Sequence, residues 1–161
     1  MRLGSAEELP LDDGSMDAVV FGQAWHWVEP GAASREAARV LRPGGVLGLI
    51  WNLRDEHVDW VARMTAVMHP SSAEAMFADD GPRVATPFGG LERSRFRWTR
   101  SMSRADLFAM VRSRSYIITA APEERARIEA ELSDLFDEIG ALGDARIELP
   151  YVTEAFRATR P

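Results

Sequence analysis

Two short apolar runs separated by a helix-length segment constrain this chain more than any other feature. Ala18-Val19-Val20-Phe21-Gly22 and Val46-Leu47-Gly48-Leu49-Ile50-Trp51 are continuous, not alternating. Runs of that kind suit parallel strands buried on both faces. Between them Pro30 can open a helix at its first turn, carrying Ala37, Ala38, Val40 and Leu41. Arg42-Pro43-Gly44-Gly45 stops it, because Pro43 cannot extend a helix and the glycines permit a tight return. Strand, helix and strand over about 35 residues have the length of a βαβ unit with a right-handed crossover. Gly44-Gly45 precedes a strand, whereas a phosphate-cradling loop follows one, so the pair reads as a plain turn.

Further along, Val58, Val61, Ala62, Thr65 and Met68 make one face of a helix over 58–68. Residues 71–90, with Gly81, Pro82, Pro87, Gly89 and Gly90, read as a loop-rich connection or pocket cover. Glu92 to Trp98 fits a half-exposed strand. Ser103-Arg104-Ala105-Asp106 resembles a capping box ahead of a helix burying Leu107, Phe108, Met110 and Val111. Pro122-Glu123-Glu124 opens a helix whose Ile128, Leu132, Leu135, Phe136 and Ile139 share a face. Ala145 to Thr153 is a last strand, with Pro150 marking a bulge or an edge.

The length of 161 residues, 46% of them hydrophobic, suits a single domain over 1–161. A net charge of −6 argues against a nucleic-acid face. All 19 basic residues are arginine, so lysine Schiff-base chemistry is excluded. Cysteine is absent, which excludes thiolate catalysis and Cys-ligated zinc and fits a cytoplasmic setting. No apolar run approaches the roughly 20 residues of a membrane helix. His57 and His69 are isolated, so no metal site is expected.

The series Gly4-Ser5-Ala6-Glu7-Glu8-Leu9-Pro10-Leu11, the 17–22 strand, Gln23-Ala24-Trp25-His26-Trp27 and Arg42 to Trp51 resembles the middle of a class I S-adenosylmethionine-dependent methyltransferase, in the small-molecule branch. Phe96-Arg97-Trp98-Thr99, Ser113-Arg114-Ser115-Tyr116 and Glu148-Leu149-Pro150-Tyr151 extend the resemblance over nearly the whole chain. It implies an α/β fold, an incomplete Rossmann-like sheet of the fourth to seventh strands with flanking helices. The glycine-rich cofactor loop of that family has no counterpart here, and no G-x-G-x-x-G occurs. The expectation is the C-terminal two-thirds of a methyltransferase domain, holding at most the adenine side of the cofactor. The family's fourth strand pairs with its first, so 17–22 is expected to be an edge. Lacking Lys and Pro, that edge is a template for pairing with a second copy.

The resemblance also implies roles. Ser5, Ala6 and Glu7 lie against the adenine of S-adenosylmethionine, with Ser5 standing where the family has an acid. Gln23 and Trp25 lie near the cofactor, and Trp27 and Trp51 beside a small-molecule acceptor. From the residues' own chemistry, His26 can act as the base, because a histidine titrates near working pH, or form a pocket wall, and Arg114 can meet a substrate carboxylate bidentately. Plain structure accounts for the same residues: Trp25 and Trp27 as core, His26 as a hydrogen-bonded surface histidine, Ser5 to Glu7 as a solvated loop, Arg114 as an ion pair. Two rivals follow, a non-catalytic dimerisation or interaction module and a nicotinamide-binding α/β protein. The second also needs a glycine fingerprint.

Overall fold

A computed structural model describes residues 3–161. Its strands are β1 (Met16–Gly22), β2 (Leu41–Arg54), β3 (Glu92–Ser103) and β4 (Arg146–Thr159), in the sheet order β1-β2-β4-β3. The helices are α1 (Pro30–Val40), α2 (Asp59–Met68), α3 (Ser72–Ala78), α4 (Arg104–Arg112), α5 (Ser115–Thr119) and α6 (Pro122–Glu138). The fold is therefore α/β, a four-stranded sheet with flanking helices, as the sequence implies. No helix among the described residues is long and apolar enough to cross a membrane.

β1 and β2 pair in parallel, with Ala18 opposite Val46, Val20 opposite Gly48 and Gly22 opposite Ile50. α1 connects them, with Pro30 in its first turn and the Glu29 carboxylate accepting from the Gly31 and Ala32 amides. β1 is an edge strand, as expected. Burial on both of its faces does not occur. Leu47, Leu49 and Trp51 of β2 are fully buried, while Val20 is 61% exposed and Ile50 38%. The strand pair is covered on one face only. Each buried leucine there contributes about 1.5–3 kcal/mol.

Several boundaries differ from the sequence reading. α1 ends at Val40, and Leu41 already belongs to β2. Arg42 to Gly45 is not a separate turn but an irregularity inside β2, where the register slips between Met16 and Ala18. Gly44 has φ 78°, and a side chain on Gly45 would meet the Arg42 and Asp17 carbonyl oxygens at 2.9 and 3.1 Å. Residues 71–90 are not all loop: Ser71 and Glu74 form a capping box that starts α3. β4 runs through Pro150 as an interior strand, so the proline marks no edge. Its carbonyl accepts from the Asp55 amide. β3 is exposed along most of its length because it is the other edge of the sheet.

The chain divides into two compact units. The first holds the described residues up to Leu53, with 71–96 and 153–161. Its core gathers Trp25, Ala33, Ala37, Leu47, Leu49, Trp51 and Phe88. Glu154, 3% exposed, is clasped there by Arg93 and Arg95, each at 2.7 Å. The second unit holds 54–70 and 97–152. Its core is built on Val61, Met64, Leu107, Val111, Ile128, Leu132 and Phe136. The expected helices α2, α4 and α6 supply it, and α4 opens on the Ser103/Asp106 capping box.

Candidate functional site

β1 ends at Gly22, and the next residue holds a backbone that few side chains tolerate. Gln23 has φ 55°, the left-handed region that glycine and asparagine favour. Its amide donates to the Ile50 carbonyl at 2.9 Å, and its Nε2 donates to the Asn52 carbonyl at 3.1 Å. The chain thereby turns off the sheet into a single 3₁₀ turn, Trp25–Trp27. Such a turn beyond the carboxyl end of a parallel strand is where open α/β sheets bind ligands.

The three aromatic residues of that turn part ways. Trp25 is buried, edge-on to Phe21, and its Nε1 donates to the Arg83 carbonyl at 2.9 Å. Trp27 is 74% exposed, with its ring tilted over His26 at 4.8 Å. His26 is half-buried, and its Nδ1 accepts from Trp51 Nε1 at 3.1 Å. An indole nitrogen only donates, so this bond assigns the lone pair to Nδ1 and the proton of the neutral ring to Nε2. Burial holds the His26 pKa below its ordinary value, which favours that neutral form. Trp51 itself is fully buried, edge-on to Phe77 and Phe156.

Trp25 and His26 line a cavity of about 430 Å3 together with Val28, Pro30, Ser72, Met76, Asp79, Asp80, Gly81 and Arg83. The size falls in the small-molecule range. Asp80 is paired with Arg83. α3 and the turn after it, residues 72–83, form the wall that the sequence reading treated as loop. Ser71-x-x-Glu74 was the signal for it, since that spacing is a helix-starting capping box.

Ser5 to Glu8 form a tight turn closed by an antiparallel bridge between Ser5 and Glu8. Gly4 is obligatory before it, because a Cβ there would sit 2.6 Å from Pro10 Cδ. The Glu7 carboxylate accepts from the Glu29 amide at 3.3 Å, so the loop is tied to the start of α1. Arg114 belongs to the second unit, at the start of α5, and its buried Nε has no hydrogen-bond partner among the described residues. Among those residues no group of three His, Asp or Glu side chains is arranged to hold a metal.

Comparison with known proteins agrees with this architecture. A family model described as a methyltransferase domain matches residues 1–49. An uncharacterized methyltransferase of Mycobacterium tuberculosis (strain ATCC 25618 / H37Rv) is 42% identical over 158 residues, covering 98% of this chain and 64% of that protein. An uncharacterized methyltransferase-like protein of Schizosaccharomyces pombe is 32% identical over 166 residues, covering 99% of this chain and 64% of its own length. A solved structure from Anaeromyxobacter dehalogenans, provisionally assigned as a type II methyltransferase, superposes with a TM-score of 0.58 at 19% identity, over 97% of this chain and 68% of that one. At that identity the likeness is one of fold. The chain thus spans less than two-thirds of the length of these curated relatives. In sequence the chain is similar to these methyltransferases, and its fold matches that of the solved one.

Proposed function

We propose that this chain supplies the adenosine side of the cofactor site and the acceptor pocket of a methyltransferase acting on a small molecule. One observation carries the reading: the turn that leaves β1 at Gln23 brings Trp25 and His26 directly to a cavity of about 430 Å3. The lining fits the group the family uses. Aromatic rings and the Asp79 carboxylate attract a cationic sulfonium, while Asp80 is paired with Arg83. When bound, S-adenosylmethionine supplies an electrophilic methyl group on that sulfonium.

Ser5, Ala6 and Glu7 would hold the adenine, and Gln23 and Trp25 the neighbouring part of the cofactor. The side chains around the cavity then act by positioning and by excluding water. His26 presents an Nε2 proton, so it orients an acceptor oxygen as a donor. Service as a base at Nε2 would require moving that proton to Nδ1, which the Trp51 N–H opposes. Trp27, exposed beside His26, offers a ring face to the acceptor.

The unpaired edge of β1 supports self-association through residues 17–22. Mass in solution over a concentration series tests this, and a monomer at every concentration contradicts it. Ultraviolet cross-linking of radiolabelled S-adenosylmethionine tests the site. The expected label lies in 5–7 or 23–27 and is competed away by S-adenosylhomocysteine. Label scattered over the surface, or insensitive to competition, overturns the reading.

A further inference from the structure

α1 does more than cover the sheet, because one of its faces grips the loop that precedes β1. Residues 9–13 follow no regular ladder, yet several of their backbone groups are bonded. Arg39 Nη1 donates to the Leu11 carbonyl at 2.9 Å and to Asp13 Oδ1 at 2.5 Å. Its Nη2 donates to the Leu9 carbonyl at 3.1 Å and to Glu36 Oε1 at 2.7 Å, and its Nε donates to Glu36 Oε2 at 2.9 Å. Glu36 Oε1 also accepts from the Leu9 amide at 2.7 Å. The Arg39 carbonyl accepts from the Gly14 amide at 2.9 Å. Every donor nitrogen of one guanidinium is used, and one carboxylate closes the circuit.

This cluster has a direction. Leu9 is bonded at both its N–H and its C=O, and the chain enters it from the Ser5–Glu8 turn. At the other end of α1 the Glu29 amide holds Glu7. The turn is thus anchored on both sides by a single helix. Only a planar fork can satisfy two carbonyls and two carboxylates together, so lysine cannot replace Arg39.

We propose that Glu36 and Arg39 are positioning residues for ligand binding: they set the backbone of the Ser5–Glu7 turn against the adenine ring. This rests on the cofactor reading above. Neither residue touches the ligand. Their effect is to hold the turn in its bound conformation before binding, which removes an ordering cost from affinity.

The test uses Arg39→Gln and Arg39→Lys in the 161-residue chain, with S-adenosylhomocysteine and 5′-methylthioadenosine as probes. Amide exchange and 1H–15N spectra are recorded for each variant. In the parent chain the Leu9 amide is protected, and both probes shift the Ser5, Ala6 and Glu7 amides. Arg39→Gln is expected to lose Leu9 protection while the β1–β2 amides stay protected. Affinity for both probes should fall about tenfold or more, by the same factor, and the turn should lose its ligand shifts. Arg39→Lys should not restore them. If Leu9 protection is lost but both affinities are unchanged, the positioning role is overturned and the cofactor reading stands. If the parent chain, with Leu9 protected, binds neither probe, the cofactor reading fails and takes this inference with it. A variant that also loses β1–β2 protection is replaced by Glu36→Gln, judged by the same outcomes.

Discussion

The indole nitrogen of Trp51 donates to Nδ1 of His26 at 3.1 Å, so a fully buried tryptophan decides which nitrogen of a cavity-lining histidine carries the proton. Trp51→Phe removes that donor while keeping an aromatic ring. In the parent protein the His26 15N shifts should report the Nε2–H form, titrating below 6.5 because burial disfavours the charged ring. In Trp51→Phe the midpoint should rise, since a bond that stabilised the neutral ring is gone. The lost volume should cost about 1–3 kcal/mol in urea unfolding. An unchanged His26 titration contradicts the assignment. The linkage has a sign: a depressed folded pKa gives stability present above the unfolded value of about 6.5 and lost as pH falls through the folded one.

Gln23 stands in left-handed backbone at φ 55°. Gln23→Gly fits that conformation but surrenders the Nε2 bond to Asn52, so the net change should lie within about 1 kcal/mol of zero. Gln23→Val keeps the strain, adds β-branching and loses the bond. It should destabilise by about 1–3 kcal/mol. Chemical denaturation of the two variants checks the order, and equal stabilities would show that the backbone there is unstrained.

Glu154 is buried, while its partners Arg93 and Arg95 are about half exposed. Burial raises the Glu154 pKa, but the two arginines outweigh it and leave the carboxyl below its ordinary value. Removing Glu154 frees two cations that can reach water. Removing both arginines leaves a buried carboxylate alone. Arg93→Gln/Arg95→Gln should therefore cost about 3–5 kcal/mol, more than Glu154→Gln. The excess should vanish as pH falls through the Glu154 pKa, because the stranded carboxylate becomes neutral. Unfolding midpoints against pH measure both effects.

α3 supplies one wall of the cavity and begins at the Ser71/Glu74 capping box. Ser71→Ala should cost about 1 kcal/mol. Amide exchange should quicken over 72–78 and leave β1 and β2 unaffected. Uniform loosening of the first unit would mean that α3 is not an independent element.

The strand–helix–strand core was legible because continuous apolar runs, Pro30 and the glycine return each have one economical interpretation. α2, α4 and α6 were legible from the spacing of residues such as Leu132, Leu135 and Phe136. α3 was missed because Pro and Gly punctuation on its C-terminal side outweighed a four-residue capping signal. Burial of both faces of β1 was misjudged because a continuous apolar run does not say how many neighbours a strand has. Of the segment Gln23 to Trp27, which the sequence singles out, Trp25 and His26 line the cavity. The Trp51–His26 bond and the Arg39 cluster join residues 25 or more apart in sequence, beyond the reach of any local pattern.

Calorimetric titration of the 161-residue chain with S-adenosylhomocysteine tests the central claim most directly. The account predicts saturable binding, with a dissociation constant of roughly 10 µM to 1 mM. Gln23→Val should weaken it. A folded chain that takes up no ligand at several-fold higher concentration would contradict the proposal that these residues form a cofactor site.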